Sequence, residues 1–210
     1  MLISIFNLIS YSIGKDYPPE NPNSDPRKLG VTGILIAILS VSVLFITSLI
    51  GYFWVRSISE AKGTWVPLGI RKIPDMLIIS TIIIILTSVL FHTTLGAFQK
   101  RKFSSYSKLL IATFLFGILF IISQILAWSE MITLNFSPRS ANLYSFTFYF
   151  LTSLHAIHVL IGIVPVSKIL YLNFRKDYSS KHGNLLVVTA IYWHFLDFVW
   201  LILFSVLYFF

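Results

Sequence analysis

Five long apolar stretches constrain the fold of this chain more than any other feature of its sequence. About 20 helical residues cross a hydrocarbon core of roughly 30 Å, and each stretch reaches that length. Only 11% of the 210 residues are charged and 56% are hydrophobic, whereas soluble domains carry about 25% charged residues. The sequence therefore predicts an all-α integral membrane bundle of five transmembrane helices, at Leu29–Trp54, Met76–Phe98, Leu109–Trp128, Leu143–Phe174 and Leu185–Phe210.

The residues before the first stretch predict a separate N-terminal region. Met1–Ile13 is apolar but lacks a basic n-region and a small-residue cleavage site, so it predicts a short interfacial or partner-packed segment. Tyr17–Arg27 holds four prolines and predicts an extended polar linker, with no helix before Lys28. The expected organisation is residues 1–28 as this segment and residues 29–210 as the transmembrane domain.

Lysine and arginine placement predicts the orientation. If the N-terminus lies in the cytoplasm, eleven of the 16 basic residues fall on the cytoplasmic side and five on the other. Cytoplasmic loops are enriched in Lys and Arg, so the N-terminus is expected inside and the C-terminus outside. The formal net charge of +8 therefore reflects membrane topology. It does not indicate nucleic-acid binding, because basic residues in short runs between spans do not form the basic stripe typical of that function.

The chain contains no cysteine. This excludes disulfides, covalent c-type haem attachment and thiolate metal centres within the chain. A redox centre that needs thiolate ligands must belong to another subunit, and no catalytic or metal-binding residue is predicted here.

An ionisable side chain within a predicted span costs roughly 2.5–3.5 kcal/mol on insertion scales. The clearest cases are His92, His155, His158, His194 and Asp197. His155 and His158 belong to one stripe of the fourth span, while His194 and Asp197 are three apart on one face of the fifth.

Three interpretations of this group remain open. Paired histidines could ligate a haem, although the sequence has no His-x13-His spacing on one helix. Asp197 could serve a proton path, although it is the one carboxylate deep in a span. A hydrogen-bonded polar network that locks the fourth and fifth helices together would satisfy these groups with the fewest further requirements.

Small side chains recur along the first span, at Gly30, Gly33, Ala37 and Ser40. Their spacing of three, four and three places them on one helix face and permits close approach of another helix. The partner helix is expected within the bundle, with a contact to another subunit as the alternative.

The last two spans resemble a known family. Tyr192–Trp200 reads YWHFLDFVW, which is similar to the YWHFxDxxW signature of cytochrome c oxidase and quinol oxidase subunit III. The fourth span has Tyr144 and Phe148, followed by His155, His158 and Gly162, and resembles the family's Y-x-x-x-F and F-H-x-x-H-V-x-x-G pattern. Gly117–Gln124, Pro74 and His92 also match by character or spacing, so the resemblance covers roughly Asp75–Phe210.

The resemblance implies a non-redox subunit in the inner membrane of a bacterium. It would bind subunit I, subunit II and phospholipids, stabilise subunit I, and leave haem and copper to those partners. The chain departs from the family at two acidic positions. Ala127 stands where the family has an acidic residue, with Glu130 nearby and expected to be hydrated, and Gly30–Trp54 contains no acid.

Other functions remain as alternatives. A subunit III-like protein of a nitric oxide reductase would share these motifs. A small transporter would show inverted repeats and broken helices, but no internal repeat is visible and Pro165 is the one proline deep in a span. The sequence does not choose between cytochrome c and quinol as the electron donor of the complex.

Overall fold

The computed structural model describes residues 26–65, 74–139 and 142–209, apart from the side chains of residues 26–29 and 180. Within these ranges the chain forms five α-helices and no strand, each long and apolar enough to cross a membrane. The predicted number of spans is therefore confirmed. The helices are α1 (Pro26–Ala61), α2 (Asp75–Gln99), α3 (Phe103–Thr133), α4 (Leu143–Phe174) and α5 (Ser180–Phe209).

The helices are mostly longer than the apolar stretches that predicted them. Only α4 has the predicted bounds, whereas α3 extends beyond its stretch at both ends. The prediction of no helix before Lys28 is wrong, because α1 begins at Pro26. Proline is well suited to the first helical turn, since it lacks an N–H and an N–H at that position would have no partner within the helix. The predicted segment Met1–Ile13 lies outside the described residues.

Side chains determine where two of the helices begin. The Asn142 carboxamide oxygen accepts from the Tyr144 amide at 2.8 Å and caps α4. Glu130, at the end of α3, accepts from the Asp75 amide at 3.1 Å and from the Met76 amide at 3.4 Å. Its carboxylate thus caps α2 across the helix pair, where a negative charge complements the helix dipole. Glu130 is also partly exposed, so its expected hydration stays a prediction beside these two bonds.

The last helix is the most buried of the five, and the first is the least. α5 packs against α4, α2 and α1, while α2 and α3 form the most extensive helix pair. α1 contacts α4 and α5 along one narrow seam. The buried side chains of this seam recur every seven residues, as in a coiled coil, at Val31, Phe45, Tyr52 and Ser59.

Candidate functional site

His194 lies in the core and connects two helices. Its Nδ1 atom is 2.7 Å from the Ser88 hydroxyl of α2, which makes a hydrogen bond between α5 and α2. The same Nδ1 lies 3.8 Å from a carboxylate oxygen of Asp197, one turn further along α5. The sequence allowed contact of this histidine with His155 and His158 on α4, whereas the hydrogen-bonding partner in the structure is Ser88 on α2.

Asp197 is a buried carboxyl group with little direct compensation. Its side chain is enclosed, and neither carboxylate oxygen has a hydrogen-bond partner among the described residues. One of its oxygens lies 3.8 Å from the His194 Nδ1 atom, which is beyond hydrogen-bond range. The Ser88–His194–Asp197 group is therefore a local polar cluster between α2 and α5.

His155 lies in an aromatic enclosure. Its ring is fully buried and packs against Trp200 at 5.0 Å, Phe120 at 5.7 Å and Phe45 at 6.2 Å between ring centroids. Neither ring nitrogen has a hydrogen-bond partner in the described part of the chain. Side chains from α1, α3 and α5 occupy the space around this ring, which disfavours an axial haem ligand at this position.

The other two of the four predicted histidines are His158 and His92. His158 is half-buried, its Nδ1 bonds the Leu154 carbonyl of its own helix at 2.7 Å, and its ring packs on Phe45 of α1. His92 is exposed on α2. The structure thus brings His194 and Asp197 together with Ser88. His155 and His158 both pack against Phe45, whereas His92 is exposed on α2. The five predicted residues do not form one continuous hydrogen-bonded network.

Trp193 provides the closest packing of α5. A Cβ atom at Gly117 of α3 would lie 2.9 Å from the Trp193 ring, a distance that real Cβ contacts do not show. The Trp193 indole also donates to the Gly162 carbonyl of α4 at 3.1 Å. Glycine at both positions allows the indole to fill the space between three helices, as small residues do in membrane proteins.

Two further side chains of the YWHFLDFVW segment complete these contacts. The Trp200 indole donates to the Thr81 hydroxyl of α2 at 3.0 Å, and the Tyr192 hydroxyl donates to the His158 carbonyl of α4 at 3.2 Å. The polar atoms of Tyr192, Trp193 and Trp200 are therefore all engaged inside the chain. The contact between α4 and α5 includes hydrogen bonds from Tyr192 and Trp193 to backbone carbonyls of α4, which the proposed histidine and aspartate network did not include.

The predicted small-residue face of α1 does not pack inside the bundle. Gly33, Ala37 and Ser40 are exposed, and nothing lies within 4 Å of a Cβ built on Gly33. Only Gly30 faces the bundle, 3.6 Å from the Val188 side chain. The interpretation of this stripe as an internal contact is wrong for these three residues, because the buried seam of α1 lies on a different face.

No group of three or more His, Cys, Asp or Glu side chains that could hold a metal ion occurs within residues 26–65, 74–139 and 142–209. The site is therefore a polar and aromatic packing centre around α5. The sequence did not identify Ser88 and Thr81 as hydrogen-bond partners of α5, nor Gly117 as the residue that faces Trp193. A serine or threonine within an apolar span could have indicated such a partner. Most such residues here bond carbonyls of their own helix, however, as Ser42 and Thr87 do.

This geometry defines a polytopic helical membrane protein whose signature side chains pack its last helix into the bundle. The family described as cytochrome c oxidase subunit III matches residues 26–210, and the chain belongs to that family. The chain is 29% identical to cytochrome c oxidase subunit 3 of Thermostichus vulcanus over 94% of its own length and 92% of the relative's. It is 32% identical to the subunit 3 of Drosophila melanogaster over 84% and 67%, respectively. It is also 24% identical to cytochrome bo(3) ubiquinol oxidase subunit 3 of Buchnera aphidicola over 63% and 64%.

Proposed function

We propose that this chain is a non-redox accessory subunit of a respiratory haem–copper terminal oxidase in a bacterial inner membrane. It binds and stabilises the catalytic subunit I, which carries the haem and copper, and assembles with subunit II. Oxygen reduction and proton translocation then belong to the complex as a whole. The observation that carries this proposal is the match of residues 26–210 to the subunit III family.

The use of the signature residues supports a structural role. The polar atoms of Trp193, Trp200 and Tyr192 are occupied by contacts within the chain, and His194 has Ser88 as its partner. Indole and phenol groups occupied in this way position helices. We assign His92, His155, His158, His194 and Asp197 to fold and assembly as well, since aromatic side chains enclose His155 and Asp197 lies in the cluster with Ser88 and His194.

The exposed face of α1 is our candidate contact with a partner subunit. Gly33, Ala37 and Ser40 continue along α1 to Thr47 and Gly51, all of them exposed. Small residues allow two helix backbones to approach closely where the bilayer offers no hydrophobic driving force. Phospholipids cover the remaining apolar surface of the helices.

The orientation and the electron donor complete the proposal. The N-terminus is cytoplasmic and the C-terminus periplasmic, supported by eleven basic residues on one side and five on the other. Relatives named for cytochrome c and for ubiquinol both match this chain. The donor of the complex is therefore decided by its other subunits.

Affinity purification from native membranes tests the assembly. A tag on this chain is expected to recover subunit I in equimolar amount, with oxygen consumption in the same eluate. Nitric oxide consumption without oxygen consumption would favour the nitric oxide reductase alternative. Recovery of the chain without any haem-bearing partner would contradict the proposal, and a tagged unrelated five-span protein provides the control.

A further inference from the structure

The helix α4 continues through a proline. Pro165 lies inside Leu143–Phe174, and nine further helical residues follow it. Because proline has no N–H, the carbonyl of Ile161 receives no hydrogen bond from its own helix, and the proline ring pushes that carbonyl aside. Sharp kinks in helices occur at such positions. Pro165 therefore creates a hinge between the first part of α4 and residues 165–174, which we name the terminal segment.

Two side chains of α5 donate to backbone carbonyls just before this proline. The Trp193 indole donates to the Gly162 carbonyl at 3.1 Å, and the Tyr192 hydroxyl donates to the His158 carbonyl at 3.2 Å. The two carbonyls are four residues apart and lie on one side of α4. A carbonyl has two lone pairs and can accept these bonds beside a helical one. The last turn of α4 before Pro165 is thus bonded to α5 at both of its ends.

Glycine at position 162 lets both rings of α5 reach this turn. A Cβ atom on Gly162 would lie 3.1 Å from a ring carbon of Tyr192 and 3.4 Å from the indole nitrogen of Trp193. On its other side the Trp193 ring faces Gly117 of α3, where a Cβ atom would lie 2.9 Å away. The ring is only 1% exposed, so it cannot move without displacing α3 or α4. The donor that reaches Gly162 is therefore itself fixed.

The contacts of the terminal segment constrain its direction less strongly. Val166 and Ile169 are buried, but apolar contacts give little directional constraint in a bilayer, since lipid is as apolar as a neighbouring helix. At the far end, Asn173 donates to the Ser107 hydroxyl of α3 at 2.9 Å. Ser107 is only partly buried, so water competes for this bond more easily than for the enclosed bond to Gly162.

We propose that Tyr192 and Trp193 form a clamp on the proline hinge of α4 and thereby fix the direction of the terminal segment. In a membrane, neighbouring helices re-satisfy the backbone that a proline disturbs, and the clamp supplies two such donors. Without it the segment swings about Pro165. A change in direction of about 20°, typical of a kink, moves Phe174 by roughly 5 Å. This device does not depend on the accessory function proposed above.

A double-mutant cycle tests the coupling between the clamp and the hinge. Trp193→Phe removes the indole donor and keeps an aromatic ring, and loss of an average membrane hydrogen bond lowers the folding equilibrium constant about threefold. Pro165→Ala restores the N–H that bonds Ile161, so the same loss should be smaller in this background. The cavity left by the smaller ring is common to both backgrounds and cancels in the cycle. Unfolding of the full chain in detergent, followed by circular dichroism, provides the measurement.

The matched control for the cycle is the other tryptophan of α5 that donates to a neighbouring helix. Trp200→Phe removes the donor to the Thr81 hydroxyl of α2 at 3.0 Å, and its effect should be the same with and without Pro165. Tyr192→Phe removes a single hydroxyl and gives the same cycle if the Trp193→Phe variant does not fold. Equal effects of the clamp substitutions in both backgrounds, or equal coupling of Trp200→Phe to Pro165→Ala, would overturn the proposal.

Distances between spin labels measure the direction of the terminal segment itself. The chain contains no cysteine, so labels attach only at the introduced Gln99→Cys and Phe174→Cys, at exposed positions of α2 and α4. The Tyr192→Phe/Trp193→Phe variant should broaden the distance between these labels by roughly 5 Å. An unchanged distance distribution would contradict the proposed clamp.

Two further measurements separate the clamp from a general loosening of the bundle. Labels at Ile79→Cys and Phe146→Cys, exposed near the first turns of the same two helices, should keep their distance in the clamp variant. Asn173→Ala should leave the distance to Phe174 unchanged, because the hinge stays clamped. Equal broadening of both label pairs, or broadening by Asn173→Ala alone, would overturn the proposal.

Discussion

The first and last helices are both long apolar spans, yet they differ in almost every contact. α5 is enclosed on most of its surface, and its tryptophans reach α2, α3 and α4. α1 touches the bundle along one seam, and its opposite faces are exposed apolar and small side chains. Apolar character is therefore common to lipid-facing and buried helices. What distinguishes α5 is the polar and aromatic side chains that need partners inside the bundle.

The largest change in stability is expected at Gly117, which faces Trp193 of the enclosed helix α5. The Gly117→Ala substitution places a methyl group 2.9 Å from the enclosed Trp193 ring and should destabilise the chain by about 1–3 kcal/mol. Unfolding in detergent, followed by tryptophan fluorescence, measures the change. Gly96→Ala is the control, since no atom lies within 4 Å of its new Cβ, and it should be neutral or stabilising by about 0.5–1 kcal/mol. Equal effects of the two substitutions would contradict the assigned packing.

A smaller effect is expected where α5 meets α2 through a hydrogen bond. The Ser88→Ala substitution removes the 2.7 Å bond to His194 and should cost about 0.6 kcal/mol, at most near 1.7. Ser40→Ala removes a hydroxyl that bonds its own helix carbonyl on exposed α1 and should change stability less. The same unfolding measurement compares the two, and a larger loss in Ser40→Ala would show that α1 is the more tightly packed helix.

The smallest effect on the chain itself is expected on the open face of α1. The Ala37→Leu substitution adds bulk at an exposed position, so the free energy of unfolding should not change. If this face contacts a partner helix, the added bulk should weaken retention in the oxidase about tenfold or more, since small residues permit the close approach. Retention is measured as subunit stoichiometry after detergent purification.

The control for this surface lies on another flank of α1. Ile46 is also exposed and lies about 180° around the helix from Ala37. Ile46→Phe should leave retention unchanged. Equal retention of the Ala37→Leu variant and the wild type would remove α1 as the contact face and would shift the partner surface to α2, α3 or α4.

The number of spans was predictable because apolar length alone decides it, and α4 even has the predicted bounds. The faces on which the helices pack against each other could not be predicted in the same way. Gly33, Ala37 and Ser40 have the spacing of small residues that is typical of helix contacts, yet they are exposed in this chain. The spacing alone does not say whether such a face contacts a helix of the same chain, a partner subunit or lipid. Periodicity along one helix also gives no information about the neighbour, so Ser88 was not identified as the partner of His194.

Glu130 shows a second limit of sequence reasoning. Its position at a span end predicted hydration but gave no sign that its carboxylate caps α2 from 54 and 55 residues away in sequence. A cap supplied by another helix leaves no local signature. The aromatic segment Tyr192–Trp200 was informative because buried indole and phenol groups must find hydrogen-bond partners. The sequence did not show that these partners lie on α2 and α4.

The visible spectrum and metal content of this chain, alone and in its complex, test the account most directly. The complex purified through a tag on the chain should show haem and copper together with oxygen reduction. The chain expressed without its partners should fold with the same helix content and carry neither group, because its histidines serve packing. A stoichiometric Soret band in the chain alone, lost on substitution of His155 or His194, would contradict the non-redox assignment and make this subunit a haem protein.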